Sequence, residues 1–295
     1  MTLPRWNNIV YIHTIIDHIE GNFDKLRVFL KSPQSDPRQK IEFIGTNHRF
    51  KENHERWSNI FDFELTKASF DENGQARVNI ILNLDFERKN PYIVHNETPL
   101  SNLPAIWDDV PDVQEYLEAH DFVEVDADEI HDKAREFGTD DPGFWSTVRR
   151  VANWVNTYIV YSYNLQQMKY RGALETLRSR KGTCSDFVHL FLALARNLQI
   201  PARAMVGLQR VGPTWKPHSW AEVYDPEYEW TPIDLVTQPV NLTLGSGYLG
   251  ISAGYNCAVR FYAYYNDGKD SPSVDLSFKQ YYVIGNRNVE IEFYD

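Results

Sequence analysis

Cysteine is scarce in this chain: Cys184 and Cys257 are the only two in 295 residues. Two cysteines can build neither a disulfide framework nor a four-cysteine zinc site. None of the nine histidines forms an H-x-x-x-H pair, and no metal or other cofactor is expected. Long apolar runs are missing too. No stretch approaches the ~18 apolar residues of a membrane-spanning helix, and the opening Met1-Thr2-Leu3-Pro4-Arg5-Trp6 has no apolar leader core. The expectation is a cytoplasmic protein with no membrane partner. Nor is there an excess of positive charge. With 30 basic against 41 acidic residues the formal net charge is −11. Such a chain gains no counterion-release free energy from nucleic acid, which argues against a nucleic-acid partner.

What remains is an ordinary globular composition, long enough for two domains, with 14% aromatics favouring β-rich packing. The first third reads as strands. Ile9–Ile16 is an apolar β-branched run, Leu26, Val28 and Leu30 alternate, and Ile41–Ile44 is short. Phe61, Phe63 and Leu65 alternate, as do Val78, Ile80, Leu82, Leu84 and Phe86. Period-2 alternation is the mark of half-buried strands, so residues 1–105 are expected to form an antiparallel β-sandwich. After a link around Pro99–Pro111 the period becomes helical. Ile130, Ala134 and Phe137 share a face, with Gly138 as a stop. Asp141-Pro142 reads as a cap and first helical residue, followed by Trp145, Val148, Ala152, Val155 and Ile159 at steps of three and four. The fold class expected is α+β, with residues 106–295 as a second domain.

The second domain carries the chemistry. Thr183 and Asp186 have capping-box spacing ahead of the apolar run that begins at Phe187, which makes Cys184 the first helical residue. Unpaired backbone N–H groups and the positive end of the helix dipole favour a thiolate there, with Arg178, Arg180 and Lys181 adding charge. The same N–H groups could hold an oxyanion. Gly182 would let a substrate carbonyl approach. The competing reading is an inert core cysteine.

Downstream, His218–Tyr224 and Trp230–Leu235 read as two strands joined by a turn at Asp225-Pro226-Glu227. Centring the hairpin on Pro226 sets His218 opposite Asp234, close enough to bond. A helix-start cysteine, a strand-borne histidine and an acid behind it are the parts of thiol acyl transfer. The histidine takes and returns the proton, and the acid fixes its tautomer.

These residues resemble the transglutaminase-like family. The resemblance is carried by Ala173–Leu177, Lys181-Gly182-Thr183-Cys184-Ser185-Asp186-Phe187, Ala193–Arg196, Ile200-Pro201-Ala202-Arg203 with Gly207, His218-Ser219-Trp220-Ala221-Glu222-Val223, and Trp230-Thr231-Pro232-Ile233-Asp234. It covers roughly 120–240. It implies a papain-like core with Cys184, His218 and Asp234 as a triad acting on an amide of a peptide or protein. The chain departs from the pattern in two places: Leu235 follows Asp234 where many relatives have Pro, and Arg178 stands where a papain-type oxyanion glutamine would be sought. Trp154 or Tyr161 could supply that donor, and Tyr161, Tyr163, Trp215 and Trp220 could wall a substrate groove; core packing is the alternative for these aromatics. Water as acceptor gives a protease or amidase, which is the favoured reading. A lysine acceptor gives a cross-linking transamidase, and a third alternative is a catalytically silent binding or scaffold module. Against two related enzymes, Arg180-Lys181-Gly182 lacks an arylamine acetyltransferase's Arg-Gly-Gly, and two cysteines cannot build a peptide N-glycanase's zinc module. Cys257 is expected to be inert in a strand, and Asn266-Asp267-Gly268 to be a hairpin turn.

Overall fold

The computed structural model describes residues 9–20, 23–33, 35, 39–55, 58–85, 97–162, 171–240, 244, 247–254, 259–265, 269–270, 275–284 and 287–291. In chain order the first strands are β1 (Ile9–Glu20), β2 (Lys25–Ser32), β3 (Lys40–Thr46), β4 (Phe50–Glu55), β5 (Ser58–Leu65) and β6 (Ala76–Asp85). Helices α1 (Leu103–Asp108), α2 (Asp128–Phe137) and α3 (Phe144–Tyr158) follow, then β7 (Val160–Tyr161), α4 (Ala173–Ser179), β8 (Lys181–Gly182) and α5 (Cys184–Asn197). The chain continues through β9 (Ala202–Val211), β10 (Thr214–Asp225), β11 (Glu229–Ile233), β12 (Tyr248–Ala253), β13 (Val259–Tyr265), β14 (Lys269–Asp270), β15 (Asp275–Ile284) and β16 (Arg287–Ile291).

The chain divides into two compact units. The first comprises Met1–Lys89, Gly207–Pro217 and Ser246–Asp295. It is built on two five-stranded sheets, ordered β16-β15-β1-β6-β3 and β14-β13-β2-β5-β4. The alternating side chains read from the sequence form its core: Val10, Ile12, Ile16, Leu26, Val28, Leu30, Phe61, Phe63, Val78, Ile80, Leu82 and Leu84 are all buried together. Phe86, at the end of that pattern, lies outside the described residues. The boundary differs from the sequence expectation, which kept 106–295 in one piece. Here β1 pairs with β6 on one side and β15 on the other, and β2 pairs with β5 and β13. The C-terminal strands complete both sheets of the first unit, a long-range pairing that no local pattern reveals.

The second unit comprises Asn90–Val206 and His218–Gly245. The segment read as a link is partly helical: α1 buries Leu103 and Trp107, and the Trp107 indole donates to the Gln199 carbonyl at 2.7 Å. In α2, Ile130, Ala134 and Phe137 are buried as their spacing requires. In α3 the cap differs from expectation. The helix begins at Phe144 behind Gly143, because the Asp141 carboxylate is spent on the backbone N–H and hydroxyl of Ser101. Its apolar face, Trp145, Val148, Ala152 and Val155, is buried as read. Helix α5 is buried almost all round, from Ser185 to Arg196, as befits a central helix. Among the described residues no helix is long and apolar enough to cross a membrane. Cys257 and Asn266-Asp267-Gly268 lie outside the described residues, although β13 and β14 pair antiparallel on either side of the latter.

Candidate active site

Helix α5 begins as its sequence dictates. Thr183 is the N-cap in extended conformation, and Thr183 and Asp186 form a reciprocal capping box, with the Thr183 N–H donating to Asp186 Oδ2 at 2.7 Å. Cys184 is the first helical residue and is partly exposed. Asp186 does further work. Its Oδ1 accepts the Arg171 N–H at 3.2 Å, while His189, one turn on, bonds the Arg171 carbonyl at 2.5 Å. Gly182 has a more local reason than the one read from the sequence. A Cβ there would lie 2.5 Å from Asp186 Cβ, closer than real side chains approach.

His218 lies on β10 and Asp234 just beyond β11. The hairpin register runs Ala221↔Ile233, Glu222↔Pro232, Val223↔Thr231, Tyr224↔Trp230 and Asp225↔Glu229. This is a shift of two residues from the expected pairing. The turn is the cause: Asp225 Oδ1 accepts the N–H groups of Glu227 and Tyr228, winding the chain through 226–228, and Glu229 takes a left-handed φ of 55°. A two-residue shift keeps every side chain on its face. Asp234 is therefore a diagonal neighbour of His218 rather than a direct one, still within reach, and His218 Nε2 bonds Asp234 Oδ2 at 3.0 Å. Asp234 Oδ1 accepts the Val236 N–H at 3.0 Å. Asn156 of α3 holds the chain beyond, donating to the carbonyls of Leu235 at 2.7 Å and Thr237 at 3.2 Å. The Trp145 indole donates to Asp225 Oδ2 at 2.8 Å, tying α3 to the turn itself.

The thiol meets this pair. Burial pushes the Cys184 thiol up, but the hydrogen bond and charge of His218, with the N–H groups of Ser219 and Ser185, outweigh it and leave the thiol below its ordinary value. Burial likewise pushes the His218 imidazole down, but its bonds to Asp234 and Cys184 outweigh that and hold it up at about 9. A lowered thiol and a raised imidazole both favour the charged forms of the two groups, with the Asp234 carboxylate behind the ring. With Nε2 on Asp234, Nδ1 is the nitrogen left to exchange a proton with sulfur. Two of the three basic residues credited in the sequence are engaged elsewhere: Arg178 pairs with Glu129 at 2.5 Å, and Arg180, in a left-handed cap conformation, donates to the Tyr158 hydroxyl and lies over its ring.

The aromatic candidates separate. Trp154 stacks on Tyr158 at 4.3 Å, meets Phe137 edge-on and lies under Lys133, a packing role between α2 and α3. Trp220 is 1% exposed, its ring behind His218 at 6.4 Å, so it supports the histidine rather than walling a groove. Trp215 packs against the core of the first unit, and Tyr163 lies outside the described residues. Tyr161 stays near: its strand pairs in parallel with β8, Tyr161 opposite Gly182, two residues before Cys184. The sequence reading gave no role to three supports, although all but the first lie within the motifs that carried the resemblance. These are Asn156, the Ser185–Ser219 hydroxyl pair at 3.1 Å, and the buried Arg203–Glu222 ion pair at 2.6 Å with Arg203 over Trp230.

Residues 131–235, which include Cys184, His218 and Asp234, match the family model described as Transglutaminase-like superfamily. No curated protein matches the chain. Among solved structures, a candidate cysteine protease from Cytophaga hutchinsonii is similar at 16% identity with a TM-score of 0.58, covering 92% of this chain and 90% of that one. The periplasmic domain of TgpA from Pseudomonas aeruginosa aligns at 14% identity with a TM-score of 0.39, covering 81% and 85%.

Proposed function

We infer that this chain, a transglutaminase-like superfamily protein by its core, is a thiol amide hydrolase in which Cys184, His218 and Asp234 act as a triad. The observation that carries the reading is His218, bonded to Asp234 at 3.0 Å and acting on Cys184 at the start of α5, so that the thiol is lowered and the imidazole raised. The Cys184 thiolate attacks an amide carbonyl of a peptide or protein substrate. The carbonyl π electrons move to oxygen, and the resulting oxyanion is met by the Cys184 N–H at the start of α5, with Tyr161 as a candidate second donor. The His218 imidazolium gives its proton to the departing amine as the C–N bond breaks, leaving a thioester. Neutral His218 then takes a proton from water as the hydroxide adds to the thioester. Collapse expels the Cys184 thiolate and restores the pair with an acid product. Asp234 keeps the ring oriented and stabilises its charged form.

Hydrolysis is preferred over transamidation because water, at ~55 M, competes for every acyl group unless a site excludes it. Trp220 and Trp215, two of the candidate walls for a lysine groove, are taken up in packing. The description of the Cytophaga protein as a candidate cysteine protease agrees with this choice. The test supplies a labelled primary amine together with glutamine-bearing casein. The reading expects ammonia or new N-termini with little label incorporated, and loss of both in Cys184→Ala. Efficient incorporation that needs Cys184 would replace it with a transamidase. Silence on a broad panel would favour a binding module.

A further inference from the structure

Ser185 directly follows the thiol residue and Ser219 directly follows the histidine. Both are buried, at 9% and 5% exposure, and their hydroxyls lie 3.1 Å apart. We propose that Ser185 and Ser219 are positioning residues whose shared hydrogen bond locks the first turn of α5 to β10 and so sets how Cys184 meets His218. The proposal rests on the thiol-site reading above and adds to it the device that keeps the two reacting groups in register.

Two of the other bonds at the site stay within one element. The Thr183–Asp186 capping box holds the first turn of α5 to itself, and the His218–Asp234 bond holds the ring to its own hairpin. The serine pair runs from one element to the other, a single residue beyond each reacting group. Consecutive Cα atoms are about 3.8 Å apart across a rigid peptide, so the serine pair fixes the spacing of the backbone immediately beside thiol and imidazole. Ser219 reaches across twice, its N–H to the Cys184 sulfur and its hydroxyl to Ser185. Buried hydroxyls cost free energy when unbonded, so the pair also penalises arrangements in which helix and strand separate.

The test is the rate of Cys184 alkylation by iodoacetamide from pH 4 to 10, read by peptide mass spectrometry with thermal unfolding alongside. The variants are Ser185→Ala, Ser219→Ala, their double, and Ser219→Thr, which keeps the hydroxyl and suits a strand. Each alanine variant is expected to slow alkylation at pH 6 by about three- to tenfold, the range of one hydrogen bond, and to move the acid limb to higher pH. The double variant should add little to either single, because both remove the same bond, and Ser219→Thr should restore the wild-type profile. Profiles that superimpose on the wild type, whatever happens to the melting temperature, would overturn the proposal, as would a double variant equal to the product of the singles. No substrate enters this assay. Shifted profiles without any amide turnover would sink the hydrolase reading and leave the positioning role standing.

Discussion

At the scale of single residues, the charge that lowers the Cys184 thiol belongs to His218 rather than to the basic residues near it. Three outcomes follow. Cys184 should alkylate well below pH 8 and much faster than Cys257, measured by peptide mass spectrometry, and His218→Ala should remove that advantage. Arg180→Ala should leave the profile unchanged, since Arg180 is committed to Tyr158; a marked shift would restore the reading from flanking charge. Asp234→Asn should lower kcat by at least about 100-fold with the fold intact, because the carboxylate selects the tautomer. The reacting form needs a charged His218 and a thiolate Cys184. Activity should therefore fall on the alkaline side as His218 loses its proton near about 9, and on the acid side as the thiol is protonated. The three residues of the proposed triad were legible because each sits in a patterned context, a capping box for Cys184 and paired strands for His218 and Asp234. Asn156, Ser185 and Ser219 were not, since an amide or a hydroxyl shows its partner only once distant elements meet.

At the scale of elements, alternation gave β2, β5 and β6, and the 3.6-residue period gave α2 and α3, because those faces are buried against a core, while β1 and α5 were read from continuous apolar runs, as α5, buried almost all round, requires. Turns and caps were less legible. Asp225 and Asp141 each have a carboxylate that could serve several backbone groups, and the choice depends on neighbours far along the chain, Trp145 and Ser101. The start of α5 offers a sharp check. Gly182→Ala would force a Cβ against Asp186 and disturb the box that seats Cys184, costing roughly 1–3 kcal/mol by analogy with overpacking and slowing alkylation; an unperturbed melting temperature and rate would contradict the packing described. His189, buried on the same helix, gives a pH signature. Burial pushes its pKa down from the ordinary 6.5 to about 4, so the folded chain binds fewer protons there than the unfolded one. The stability it contributes is present above pH 6.5 and is lost as pH falls through about 4. The melting temperature should drop across that window, and less steeply in His189→Asn.

At the scale of the molecule, the sandwich unit is assembled from both ends of the chain, which a linear reading into 1–105 and 106–295 does not show. A fragment of residues 1–105 lacks β13 and β15, the strands paired with β2 and β1. It should fail to give a cooperative melting transition, and calorimetry of the isolated fragment checks this. An acyl group carried on Cys184 between substrate and water would be seen by acid-quenching the enzyme during turnover of a peptide library and weighing it intact. A mass adduct on Cys184 is expected, absent in Cys184→Ala and in His218→Ala, that decays in water without added amine. Amide cleavage that persists in Cys184→Ala, with no adduct on the wild-type protein, would contradict it.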